Sequence, residues 1–96
     1  MSDTLPSNSA VSVSFHVLAD TCPGLLPRLL QPFAKRDLVA DEFHAKREGE
    51  TTRVEMALFA MPVEMVHLVA GNLGQVVGVQ DVQVVRHASA MLRRAA

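Results

Sequence analysis

Residues 11–33, VSVSFHVLADTCPGLLPRLLQPF, decide the fold, because two different periodicities follow each other within this stretch. Apolar and polar side chains alternate over the first part, which predicts a strand at about 11–18 with one buried face. The leucines and Phe33 then recur every three or four residues, as on the buried side of a helix, at about 24–36. The turn sequence DTCPG, residues 20–24, separates the strand from the helix.

Two prolines fall within the predicted helix. Pro27 suits the first turn, where backbone amides have no intrahelical partners. Pro32 lacks the amide that would bond the carbonyl of Arg28. We therefore expect a kink or an early end of the helix near Pro32.

Three further elements follow from the same two periodicities. Residues 38–47 alternate and run into a polar reversal at 48–50, which predicts a hairpin and a third strand at about 51–60. Pro62 is predicted as the first residue of a second helix, whose apolar stripe ends near a pair of glycines. A valine-rich run predicts the last strand at about 78–86.

The order of the predicted elements is β-α-β-β-α-β. It indicates an α+β fold of the ferredoxin-like type, with a four-stranded antiparallel sheet and two helices on one face. The predicted domain covers 11–86. A flexible leader is predicted at 1–10, and residues 87–96 form a short basic tail for which a frayed helix is one interpretation.

Composition excludes several classes of function. The net charge of -1 and the absence of Trp and Tyr disfavour binding to nucleic acid or to anionic lipid. The lone cysteine, Cys22, cannot form an internal disulfide. No apolar stretch approaches the roughly 18 residues that span a membrane, and the start lacks the pattern of a secretory signal. We expect a cytoplasmic protein with no nucleic acid or membrane partner.

The sequence shows no motif for catalysis or for metal binding. None of its four histidines belongs to an HExxH motif or accompanies a CxxC motif, and no motif places two carboxylates on either side of a substrate bond. We predict no catalytic residue, no metal site and no cofactor. The enzyme alternative is an acylphosphatase-like hydrolase, which needs an Arg-bearing phosphate loop after the first strand and a positioned Asn. The loop instead carries Thr-Cys-Pro, and the only asparagines are Asn8 and Asn72.

The order of several short motifs resembles the ACT domain. They are the turn DTCPGL at 20–25, the segment FAKRDLV at 33–39, and a Gly-Val pair at 78–79 before the last strand. More narrowly, the stretch 11–85 resembles the short regulatory subunits of acetolactate synthase. The resemblance implies a non-catalytic protein of branched-chain amino-acid biosynthesis that regulates a catalytic large subunit.

The resemblance also implies where a small amino-acid effector binds. ACT regulators hold it between the loop after the first strand of one subunit and the start of the second strand of the other. The effector-binding residues implied here are Thr21, Cys22, Pro23, Gly24, Leu25, Val39 and Ala40. From the residues alone, free amides at a helix start favour a carboxylate, and a glycine there allows close approach. A turn that only connects strand to helix is the structural alternative.

Two positions differ from the pattern of the branched-chain regulators. Thr21 and Val39 stand where that pattern often has Asn. A module with a degenerate ligand site is therefore one alternative, and a free-standing ACT module serving another metabolic enzyme is a second. In each case we expect the second strand to be an exposed edge that pairs with its twin, which gives a homodimer with an eight-stranded sheet.

Overall fold

The computed structural model describes residues 9–87, which form a four-stranded antiparallel sheet and two helices. In chain order the elements are β1 (Ala10–Asp20), α1 (Leu25–Ala34), β2 (Glu42–Glu48), β3 (Thr51–Pro62), α2 (Val66–Gly74) and β4 (Val79–Arg86). The strand order is β2-β3-β1-β4, so β2 is an edge strand, as predicted. The ferredoxin-like α+β architecture is confirmed. Residues 1–8 of the predicted leader and residues 88–96 of the predicted tail lie outside the described residues.

One face of the sheet carries the hydrophobic core. Val13, Phe15 and Val17 of β1 are at most 3% exposed. The register pairs Phe15 with Met56 and Val17 with Val54 of β3, so these side chains share that face. Both helices cover it with buried side chains, which are Leu25, Leu29, Phe33, Val66, Val69 and Leu73. The rings of Phe15 and Phe33 meet edge to face with centroids 5.5 Å apart. The alternation and the helical spacing seen in the sequence therefore produce one apolar layer.

The first helix accommodates both Pro27 and Pro32. Gly24 precedes it with φ of 81°, in the left-handed region that glycine adopts without strain. Pro27 lies in the first turn, where its missing amide has no effect. The helix runs through the buried Pro32 and ends at Ala34, two residues before the predicted end.

The second strand begins later than predicted. Our prediction of 38–47, with Val39 on its apolar side, was wrong at its start: β2 begins at Glu42, and Val39 is 81% exposed in the preceding loop. Asp37 has φ of 56° and turns the chain after α1. Pairing with β3 starts at Asp41, whose N–H donates to a β3 carbonyl at 2.8 Å. The predicted start of the second strand was four residues too early, because Val39, in the irregular loop before Glu42, continues the period of two of the apolar residues in β2.

The second helix also begins later than predicted. Pro62 is the last residue of β3, with extended backbone at φ -56° and ψ 128°, and not the first helical residue. A single 3-10 turn, Val63–Met65, connects it to α2. The Val63 N–H donates to the carbonyl of Ser9 at 3.0 Å, which holds this connection against the start of β1. Proline suits an extended residue as well as a helix start, so the sequence could not separate the two.

Connectivity places each helix over a different part of the sheet. The crossover from β1 to β2 passes β3, which lies between them, whereas the crossover from β3 to β4 passes β1. The first helix therefore lies toward the β2 edge, and α2 lies toward β4. Within residues 9–87, neither helix has the length and apolar character needed to cross a membrane.

Candidate functional site

The turn after β1 is fastened to the β2–β3 hairpin. The N–H of Thr21 donates to the carbonyl of Glu50 at 2.8 Å. The hydroxyl of Thr21 lies 2.8 Å from the hydroxyl of Thr52 and 3.4 Å from the carbonyl oxygen of Gly49. Because Thr52 is only 7% exposed, water competes little for the contact between the two hydroxyls. The turn therefore has a defined position at this end of the sheet.

The start of α1 has fewer free amides than the sequence suggested. The Leu25 N–H donates to the carbonyl of Cys22 at 3.3 Å, and Pro27 has no N–H. The amides of Gly24 and Leu26 donate to no acceptor among residues 9–87. Two backbone N–H groups thus remain at this helix start for a carboxylate.

The turn residues of the predicted effector site are accessible, whereas the first residue of α1 is buried. The turn residues Thr21 and Cys22 are half-buried, and Pro23 and Gly24 are exposed beside them. Leu25 is 3% exposed, and its side chain packs in the hydrophobic core. It supports the turn from inside and presents no side-chain atoms to a ligand.

The loop before β2 lies away from the sheet end that carries Thr21. The last residue of β1 pairs with the first residue of β3, whereas β2 begins beside Ala57, further along β3. Val39 and Ala40 precede that start. They therefore do not meet Thr21 within one chain.

An open cavity of about 540 Å³ lies at the sheet end that carries Thr21. It is lined by Asp20, Thr21, Arg47, Gly49, Glu50, Thr51 and Gln80. Arg47 donates from Nε to the carbonyl of Gly49 at 3.0 Å, which leaves its two terminal amino groups for a ligand. Gln80 donates to the Asp20 carboxylate at 2.5 Å. One cation and two carboxylates in the lining match the opposite charges of an α-amino acid.

Sequence reasoning missed the contributions of Arg47, Thr52 and Gln80. Arg47 and Thr52 are register partners across the hairpin, so the hairpin register was the signal that could have paired them. Gln80 is 60 positions from Asp20, and no local pattern relates the two.

Metal chemistry finds no support at this site. Across the described range 9–87, no cluster of three or more His, Cys, Asp or Glu side chains is arranged to hold a metal ion. The free thiol of Cys22 is half-buried and packs against the core. The site is a polar cavity with charges of both signs.

Comparison with known proteins adds a family match. A family model described as an ACT-like domain matches residues 6–91. No curated protein matches the chain. The crystal structure of the ACT domain from GTP pyrophosphokinase of Chlorobium tepidum is similar with a TM-score of 0.70 and 12% identity, over 80% of this chain and 100% of that one. The solution NMR structure of that domain gives a TM-score of 0.67 at 12% identity, over 79% and 86%. At this identity, the similarity to these structures shows the fold alone.

Proposed function

This chain belongs to the ACT-like domain family, and from that membership we propose that it is a non-catalytic regulatory protein that dimerises and binds a small amino acid. ACT domains are generally regulatory ligand-binding modules. The partner that we propose is the catalytic large subunit of acetolactate synthase, in the cytoplasm. The observation that carries the ligand proposal is the turn at Thr21, docked beside a cavity with charges of both signs.

An apolar strip on α1 supports dimerisation at the β2 edge. Leu26 is 37% and Leu30 is 40% exposed, and the two lie one helical turn apart. At about 100° per residue, they lie on the side of α1 opposite Arg28 and Gln31, which face α2. Their side of the helix therefore faces the β2 edge. Phe43 of β2, 36% exposed, lies on the core-facing side of that strand. A second copy that pairs along β2 would cover these side chains and the free strand edge.

Such a dimer also brings together the two halves of the predicted site. Antiparallel pairing of two β2 strands across a two-fold axis reverses the second copy. The start of its β2, preceded by Val39 and Ala40, then lies at the sheet end that carries Thr21 and Arg47 of the first copy. The separation of these residues within one chain is what a site shared between two copies requires.

The chemistry of this cavity supports one class of ligand. The terminal amino groups of Arg47 suit a carboxylate, and the carboxylate of Glu50 suits an ammonium group. The exposed Val39 of the second copy offers apolar contact to an aliphatic side chain. These features support a branched-chain amino acid as effector.

Calorimetric titration of the purified chain with valine, leucine and isoleucine tests the binding proposal. We expect saturable binding at or below millimolar concentration, weakened about tenfold or more by Arg47→Gln, which removes a charge-assisted contact. Arg53→Gln is the matched control, because Arg53 contacts Glu48 and does not line the cavity. Absence of heat with all three amino acids would remove the effector from the proposal.

A separate experiment tests the partner. The purified chain is mixed with the purified catalytic large subunit of acetolactate synthase, and complex formation and activity are measured. Binding and activation without an amino-acid response would instead identify the alternative, a module with a degenerate ligand site. Failure both to bind and to activate would reject this partner and leave a free-standing ACT module.

A further inference from the structure

A groove between the two helices forms a second polar cavity, which shares no described lining residue with the cavity beside Thr21. Its volume is about 250 Å³. Three side chains of α1 line one wall, and residues at the end of α2 line the other. The polar members are Arg28, Gln31, Lys35, Asn72 and Gln75. Two cations and three amides thus face one small space, and no acidic residue is among the lining side chains of the described part of the chain.

Among the described residues, 9–87, the two cations of this groove have no counter-ion. Within residues 9–87, neither Arg28 nor Lys35 makes a side-chain ion pair or hydrogen bond. They lie seven positions apart, or about two helical turns, and therefore share one side of α1. The guanidinium carbon of Arg28 also lies 3.9 Å from where a Cβ on Gly24 would be, so the side chain leans toward the helix start. The positive charge extends along the groove.

The amide side chains add hydrogen-bonding capacity that the chain itself does not use. Gln31, Asn72 and Gln75 form no side-chain hydrogen bond with any residue in 9–87. Two carbonyl groups at the end of α2 already accept hydrogen bonds. The Gln75 N–H donates to the carbonyl of Asn72, and the Val76 N–H donates to the carbonyl of Leu73, both at 3.1 Å. This bonding reduces the repulsion that the negative end of a helix exerts on an anion.

We propose that this groove binds a small metabolite with more than one negative charge, of the phosphate ester or polycarboxylate class. Guanidinium and ammonium groups are the side chains that recognise phosphate and carboxylate. The exposed Val77 and the half-buried Val76 provide apolar contact for a carbon skeleton. The volume is below the usual range for drug-sized ligands, about 300–1,000 Å³, which restricts the ligand to a small molecule.

The groove opens on a different side of α1 from the proposed dimer surface, and the Arg28 guanidinium at its near end lies beside Gly24 of the effector site. The groove lies on the side of α1 that faces α2, opposite the apolar strip of Leu26 and Leu30. A dimer formed along β2 therefore leaves it open. The ligand charges also differ, because this groove lacks the carboxylates that an amino-acid ammonium group requires.

Inorganic pyrophosphate and citrate are suitable probes for the two ligand classes. The full chain is titrated with each by calorimetry at low ionic strength, and the side-chain amides are followed by NMR. We expect saturable binding of at least one probe, with resonance shifts at Gln31, Asn72 and Gln75. The tighter probe identifies phosphate or carboxylate as the preferred group. Arg28→Gln and Lys35→Gln should each weaken binding about tenfold or more.

Arg86→Gln is the matched control, because it removes one exposed positive charge on β4, outside the groove. Its affinity for the probe should stay within about twofold of the unmodified chain, as expected when only screened long-range attraction is lost. Three results would overturn the proposal: no saturable binding at millimolar probe, equal weakening by Arg86→Gln, or resonance shifts confined to residues outside the groove.

Discussion

The hydroxyl oxygens of Thr21 and Thr52 lie 2.8 Å apart, and this contact joins the turn after β1 to the β2–β3 hairpin across 31 positions of the chain. Thr52 also faces Arg47 in the hairpin register. The threonine pair therefore connects the turn before α1 to the hairpin that carries Arg47.

A double-mutant cycle measures this contact. Thr21→Val should lower the free energy of unfolding by about 1–2 kcal/mol, because it leaves the buried hydroxyl of Thr52 without its partner. Thr52→Val should have a similar effect, and the double variant should lose less than the sum. Urea denaturation gives the three values. Simple additivity would mean that the two hydroxyls do not stabilise each other.

The backbone of Gly24 gives a second prediction. Its φ of 81° is in a region that disfavours any Cβ, although space is available there. Gly24→Ala should therefore cost about 1–2 kcal/mol of unfolding free energy. Gly71→Ala in α2 is the control, because Gly71 has open space and no positive φ, and should stabilise by about 0.5–1 kcal/mol. Equal effects of the two substitutions in thermal or urea unfolding would contradict the role of the turn.

The core layer gives a third prediction. Leu29 is fully buried among both helices and the sheet, so Leu29→Ala should cost about 2–5 kcal/mol. Leu68, 47% exposed on α2, is the matched control, and Leu68→Ala should cost about 1 kcal/mol or less. Chemical denaturation compares the two. A small loss for Leu29→Ala would show that α1 packs less tightly than described.

The proposed dimer gives a fourth prediction. Leu30→Glu and Phe43→Lys each place a charge on the surface that a second copy would cover, so each should give a monomer at micromolar concentration. Leu68→Glu places the same charge on an exposed leucine of α2, beyond that surface, and should leave the dimer intact. Sedimentation velocity distinguishes the two species. A monomeric unmodified chain at the same concentration would refute edge pairing.

The local pattern of apolar and polar residues was enough to predict the strands and helices and their order. The alternation of Val13, Phe15 and Val17 and the helical spacing of Leu25, Leu29 and Phe33 became the two sides of one core. Such periodicity is visible in a sequence because it arises from the geometry of a single strand or helix. The expectation that β2 is an edge strand is confirmed by the strand order.

Boundaries and partners depended on contacts between distant residues. The loop at Val39 and the extended Pro62 were read as regular structure, because the backbone turn at Asp37 and the bond from Val63 to Ser9 leave no local signal. The groove between α1 and α2 likewise exists only after both helices have packed.

The sequence by itself therefore determined the order β-α-β-β-α-β and the turn at 20–24, because side-chain periodicity and backbone preference act within a few residues. Only the tertiary structure decided that Thr21 contacts Thr52 and that Asp20 contacts Gln80. The register between strands and the docking of loops set these contacts, and both depend on how the whole chain buries its apolar surface.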